Sequence, residues 1–84
     1  MSFNDKEIFA RIRNVLGRML KISGDQIKLS STIQDDLGID SVDGLDMFFA
    51  LEDEFQIKLG EKELEGLHSI ADIVRLVERK TSSR

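Results

Sequence analysis

The sequence predicts an all-α fold: a small four-helix bundle, three main helices plus one short helix, with a long loop between helices 1 and 2. Three observations predict it. Apolar residues recur at helical spacing in three separate stretches of the 84-residue chain. Each stretch is preceded by a residue type that caps helices well: Asn4, Asp40 and Ser69. No segment sustains the two-residue alternation of a strand. Gln26 to Thr32 alternates weakly, and Ser30-Ser31-Thr32 interrupts it.

The first helix begins near Asn4, with Glu7 three residues on in capping-box spacing. Ile8, Ile12, Val15 and Met19 form its apolar stripe, with Phe9, Leu16 and Leu20 beside them, while Arg11, Arg13 and Arg18 lie mostly off it. It stops near Lys21 or Ile22, before Ser23-Gly24-Asp25. From there to Asp40 the chain reads as a loop pinned to the core by Ile27, Leu29, Ile33, Leu37 and Ile39. Loops of this length in small domains are often functional. The second helix starts at Asp40 or Ser41 and runs to about Phe55. Gly44, Met47, Phe48, Leu51 and Phe55 share its core sector, and Val42, Asp46, Phe49 and Asp53 lie roughly opposite. Glu61 to Leu67 forms one or two turns with Leu64 and Leu67 inward. Ser69 and Asp72 then cap a last helix whose stripe is Ile70, Ile73, Val74 and Val77. Thr81 to Arg84 is expected to fray.

A chain of 84 residues makes one domain, spanning residues 1–84, and cannot easily house a deep active site beside its core. It has no cysteine, which removes disulfides, thiolate metal sites and a cysteine nucleophile. No apolar run is long enough to cross a bilayer, and the first residues lack the apolar core of a signal peptide. The expected setting is cytoplasmic, without membrane insertion, and the expected state is a monomer.

The net charge of −4 is unevenly placed. Residues 1–34 carry six bases against three acids, residues 35–65 two bases against eleven acids, and residues 66–84 four bases against two acids. An acidic middle repels nucleic-acid phosphates and suits a partner with a basic docking surface; a merely solvated acidic face is the alternative. Catalytic chemistry finds little support. The single histidine, His68, has no nucleophile elbow to serve, because Ser41 sits in Gly38-Ile39-Asp40-Ser41-Val42-Asp43. His68 reads as a surface or capping residue. A calcium loop fails in either register, since its third position falls on Gly38 or Val42. No catalytic residue and no metal site are expected.

What remains is Ser41, a hydroxyl at the start of an amphipathic helix. Unpaired N–H groups and the helix dipole make such a place a good seat for a covalently attached phosphate. On spacing alone, Asp40 or Ser41 is better explained as only an N-cap. Asp36-Leu37-Gly38-Ile39-Asp40-Ser41-Val42-Asp43, followed by Met47-Phe48-Phe49-Ala50-Leu51-Glu52-Asp53-Glu54-Phe55, resembles the acyl carrier protein family. The family's Asp-Ser-Leu attachment motif matches at Asp40 and Ser41, and its Ala-Leu-Glu-acid-Glu-Phe segment at Ala50 to Phe55. Helix order and Ser69-Ile70-Ala71-Asp72-Ile73 extend the resemblance over nearly the whole chain.

The resemblance implies a carrier rather than an enzyme. A phosphopantetheinyl transferase would move 4′-phosphopantetheine from coenzyme A to Ser41, with Mg²⁺ and Asp40 helping to organise the phosphate in that complex. The terminal thiol would hold acyl groups as thioesters and shuttle them between enzymes of fatty-acid or related lipid biosynthesis. The implied partners, the transferase and acyl-transferring or synthase enzymes with basic docking patches, would meet Val42, Asp43, Asp46, Phe49, Glu52 and Asp53, with Asp40 and Glu54 adding to the field. Carriage in polyketide, peptidyl or aminoacyl transfer is the alternative, and a plain helical interaction module is a third. The chain departs from the family pattern at Val42, where Leu is usual, at Gly44, at Phe48 and Phe49, where aliphatic residues are usual, and at Gly60, where Pro is frequent. These departures point to a specialised carrier.

Overall fold

The computed structural model describes residues 4–82. Helix α1 spans Asp5–Leu20, α2 Ser41–Phe55, α3 Glu61–Glu65 and α4 Ile70–Ser82, with one 3₁₀ turn at Gly24–Gln26. The apolar faces of α1, α2 and α4 meet, and α1 packs against both of the others. Ile8, Ile12, Leu16, Met47, Leu51, Phe55, Ile70, Ile73, Val74 and Val77 belong to one buried cluster. These residues lie on the stripes predicted for the three main helices.

The helix ends follow from local chemistry. The Asn4 side chain accepts the Glu7 N–H at 2.8 Å and starts α1. The helix stops at Lys21, which takes left-handed backbone (φ 58°), so that the N–H groups of Lys21 and Ile22 both reach the Gly17 carbonyl. Helix α2 stops the same way at Gln56 (φ 54°), with the Gln56 and Ile57 N–H groups on the Glu52 carbonyl. In both cases the next residue is apolar and turns back toward the core.

The long loop is held by its own isoleucines and by α4. Ile27, Ile33 and Ile39 are buried in the main cluster and Leu37 packs against it. Leu29 does not peg the loop as expected: it is 47% exposed. Instead its carbonyl accepts the Ala71 N–H at 3.0 Å. The Ile33 N–H donates to the His68 carbonyl (2.9 Å) and the Ile70 N–H to the Ser31 carbonyl (3.0 Å). These bonds form an isolated antiparallel bridge at Thr32 and Ser69 rather than a strand. Thr32 and Asp36 exchange side-chain to backbone bonds of 2.8 and 2.9 Å, which shapes the turn leading to Gly38.

Helix α4 begins at the expected capping box. The Asp72 carboxylate accepts the N–H groups of His68 (3.0 Å) and Ser69 (3.1 Å) and pairs with Arg75. The end of α4 differs from expectation. The helix continues through Ser82, and Thr81 is buried, its hydroxyl donating to the Val77 carbonyl at 2.9 Å. A hydroxyl that bonds back to the preceding turn can be buried without leaving an unsatisfied donor. The rest of the tail expected to fray, Ser83 and Arg84, lies outside the described residues.

The N–H groups of His68 and Ser69, with Arg75, hold the Asp72 carboxyl below its ordinary value of 3.8, against the opposing effect of burial. A depressed folded-state pKa gives stability that is present above the unfolded value and lost as pH falls through the folded one. Asp72→Asn should therefore lower unfolding stability by about 1 kcal/mol at pH 7, as for loss of a cap. The deficit should shrink as pH falls through the folded-state pKa and the native carboxyl takes up its proton. Urea unfolding of both chains across the acidic range checks this.

Candidate functional site

The turn that ends the long loop fixes the start of α2. The Leu37 N–H donates to the Thr32 carbonyl, the Gly38 N–H to the Gln34 carbonyl and the Ile39 N–H to the Ile33 carbonyl, at 3.0–3.1 Å. This path requires Gly38 at φ 68°, a conformation that costs other L-residues roughly 1–2 kcal/mol. Ile39 then enters the core, and the chain surfaces again at Asp40.

Asp40, not Ser41, is the N-cap of α2. Its side-chain oxygen accepts the Asp43 N–H at 2.9 Å, and its carbonyl accepts the Gly44 N–H at 2.8 Å. Ser41 is thereby the first helical residue, and it is exposed. Its hydroxyl has no hydrogen-bond partner among the described residues, and no base is arranged to activate it. The N–H groups of Ser41 and Val42, as the first two of a helix, precede the start of intrahelical bonding and remain available to an anion. Asp40 has one job in this geometry, to hold the first turn, and so sets the position of the serine beside it.

The outer face of α2 carries most of the residues expected there. Val42 is 68% exposed and Phe49 64%, with Asp46 and Asp53 exposed between and beyond them. Leu45, which the pattern did not single out, joins them at 46% exposure. Its helical angle lay outside the core sector, so the signal was there. Asp43 is half-buried. Glu52 and Glu54 are placed elsewhere. The Glu52 carboxylate accepts the Leu59 N–H at 2.8 Å and ties down the segment after α2, while Glu54 pairs with Arg11 of α1 at 3.2 Å. Phe48 is buried, yet it stands outside the main apolar cluster. On α2 it follows Ser41 by seven residues, on the same flank of the helix.

Comparison with known proteins identifies the family. A family model described as a phosphopantetheine attachment site matches residues 10–77. The acyl carrier protein of Campylobacter hominis is 36% identical over 78 residues, covering 93% of this chain and 99% of that one. The acyl carrier protein of Saccharopolyspora erythraea is 38% identical over 71 residues, covering 84% and 75%. The chain belongs to the acyl carrier protein family. Its cofactor is covalently bound 4′-phosphopantetheine. The crystal structure of an acyl carrier protein from Thermotoga maritima superposes with a TM-score of 0.82 at 22% identity, covering 94% of this chain and 92% of that one, which shows the shared helical fold. Among the described residues of this acyl carrier protein no helix is long and apolar enough to cross a membrane, and no cluster of side chains could hold a metal ion.

Gly44 lies buried on the core face of α2. The structure leaves room for more. A Cβ there would meet only Ile39 Cγ2, at 4.0 Å, an ordinary contact. Gly44→Ala should stabilise the protein by about 0.5–1 kcal/mol through helix propensity alone. A rise in Tm, measured by circular dichroism, checks this.

Proposed function

We propose that Ser41 is the attachment point, and that this acyl carrier protein presents acyl groups to partner enzymes from the N-terminus of α2. One observation carries the assignment: an exposed, unpartnered hydroxyl in the first turn of a helix that is already capped by Asp40. In the transfer step the Ser41 Oγ forms a bond to phosphorus, the pyrophosphate P–O bond of coenzyme A breaks, adenosine 3′,5′-bisphosphate leaves, and the serine proton passes to the transferase. Among the described residues none bonds the Ser41 hydroxyl to take that proton, so the transferase supplies the base. Ser41 and Val42 N–H groups would hold the resulting phosphodiester, and Asp40 would keep the turn in place. When attached, the arm supplies a terminal thiol that carries acyl groups as thioesters. The chain itself is not an enzyme in this reading. It works as a single carrier domain over residues 1–84, in the cytoplasm, as a monomer.

Asp43, Asp46 and Asp53, with Val42, Leu45 and Phe49, would form the docking face for the basic patches of the transferase and of acyl-transferring synthase enzymes. Exposed charges of this kind raise encounter rates more than affinity, which suits a shuttle that must leave each partner quickly. Glu52 has a smaller part than its place in the acidic run suggests, since its carboxylate holds the Leu59 N–H. The acidic face favours acyl over peptidyl or aminoacyl cargo. The Phe48 ring, buried on the Ser41 flank, favours a specialised carrier over a general fatty-acid one.

Two experiments test the proposal. Incubation with coenzyme A, Mg²⁺ and a broad-specificity phosphopantetheinyl transferase should add one arm, seen by intact mass, and Ser41→Ala should take none. An undiminished adduct on the alanine variant would defeat the assignment. Loading with acyl chains of increasing length should show a lower length limit for the native chain than for Phe48→Ala, read as protection of the thioester from hydrolysis. Equal protection in both would remove Phe48 from cargo selection.

A further inference from the structure

The outer strip of α2 does not end at that helix. Beside it runs an open groove of about 400 Å³ between α1 and α2, lined by Val15, Arg18, Met19, Ala50, Asp53 and Glu54. Its floor is apolar: Val15 is buried, and Met19 and Ala50 are half-buried. Ala50 follows the exposed Phe49, and Asp53 belongs both to the strip and to the groove. The two surfaces are therefore continuous.

The charges at the groove are not alike. Glu54 is matched by Arg11 at 3.2 Å. Arg18 is exposed, uses only its Nε–H locally (on the Asn14 carbonyl, 3.3 Å), and makes no ion pair among the described residues. Asp53 is exposed and likewise forms no ion pair among them. The groove thus presents one open cation on α1 and one open anion on α2, across an apolar floor. A uniformly basic partner would gain Asp46 and Asp53 but would meet Arg18 as a like charge.

We infer that this groove extends the docking face and that Arg18 selects its partners. The occupant is an enzyme surface with an apolar side chain for the groove, a base opposite Asp53 and an acid opposite Arg18. Scale permits it. Twelve residues separate Ser41 from Asp53, about 18 Å along a helix. A standard interface of about 800 Å² per partner is about 30 Å across, wide enough to span Ser41 and the groove together. The inference rests on the carrier reading but is separable from it.

The test uses the full chain, its Arg18→Glu and Arg18→Gln variants, coenzyme A, Mg²⁺ and a phosphopantetheinyl transferase whose docking surface carries only Arg and Lys. The kinetics of arm transfer are measured at low and high salt. Arg18→Glu should lower KM about three- to tenfold with kcat unchanged, Arg18→Gln should lower it less, and the gain should shrink at high salt. A transferase variant with one docking arginine or lysine changed to glutamate should reverse the preference and favour the native chain over Arg18→Glu. A residue that merely supports α1 would change Tm and would not improve KM. Equal KM values for the three chains, with arm transfer intact, would overturn the role of Arg18 and leave the carrier reading standing. A native chain that takes no arm would overturn both.

Discussion

The position of Ser41 depends on the tie between the long loop and the start of α4. About twenty residues connect α1 to α2 with only one 3₁₀ turn among them. Ordering each backbone residue costs about 1–2 kcal/mol, so the loop would not hold one path without specific restraint. Three isoleucines anchor it from within, and backbone bonds to His68, Ile70 and Ala71 anchor it from outside. The same stretch of α4 is organised by Asp72, which collects the N–H groups of His68 and Ser69. One carboxylate thus caps a helix and, through it, steadies the loop that delivers Asp40 and Ser41 to the surface.

Much of this was legible in the sequence, because helices announce themselves twice, by period and by cap. Asn4, Asp40 and Ser69 each stand where a helix starts, and the core faces of α1, α2 and α4 are the predicted ones. Loops carry no period, so nothing distinguished Leu29, which is exposed, from Ile27 and Ile33, which are not. Long side chains also escape pattern reading. Glu52 and Glu54 are acids of the same run as Asp46 and Asp53, but each finds a fixed partner that only the fold brings near. Thr81 illustrates the same limit for a short polar residue, since its burial depends on a bond to its own helix.

The acidic middle of the chain consequently divides by task. Asp36 shapes the turn before Gly38, Asp40 caps α2, Glu52 and Glu54 join neighbouring segments, and Glu63 joins α3 to α4. Among the described residues Asp46 and Asp53 remain exposed and without ion pairs, beside Val42, Leu45 and Phe49. The field offered to a partner is thus set by a few placed charges on α2 and, at its edge, by Arg18. Net charge alone would have described it as uniformly acidic and would have missed the cation.

Helix α3 is the least anchored element. None of its residues is buried, and Glu63 does much of the holding: its carboxylate accepts the Gly60 N–H at 2.8 Å and pairs with Lys80 at 3.0 Å. The Gly60 N–H, and then Lys80, keep that carboxyl below its ordinary value. Its contribution therefore persists above the unfolded-state pKa and fails only as acid protonates the folded form. Elements with little buried apolar surface open at the lowest free energy. Residues 60–66 can accordingly give way while α1, α2 and α4 keep their core. The flank of α2 that bears Ser41, Leu45 and Phe48 lies outside that core's main cluster. The loop and the Asp40 cap fix the start of α2, whereas α3, with no buried residue, depends on the bonds of one carboxylate.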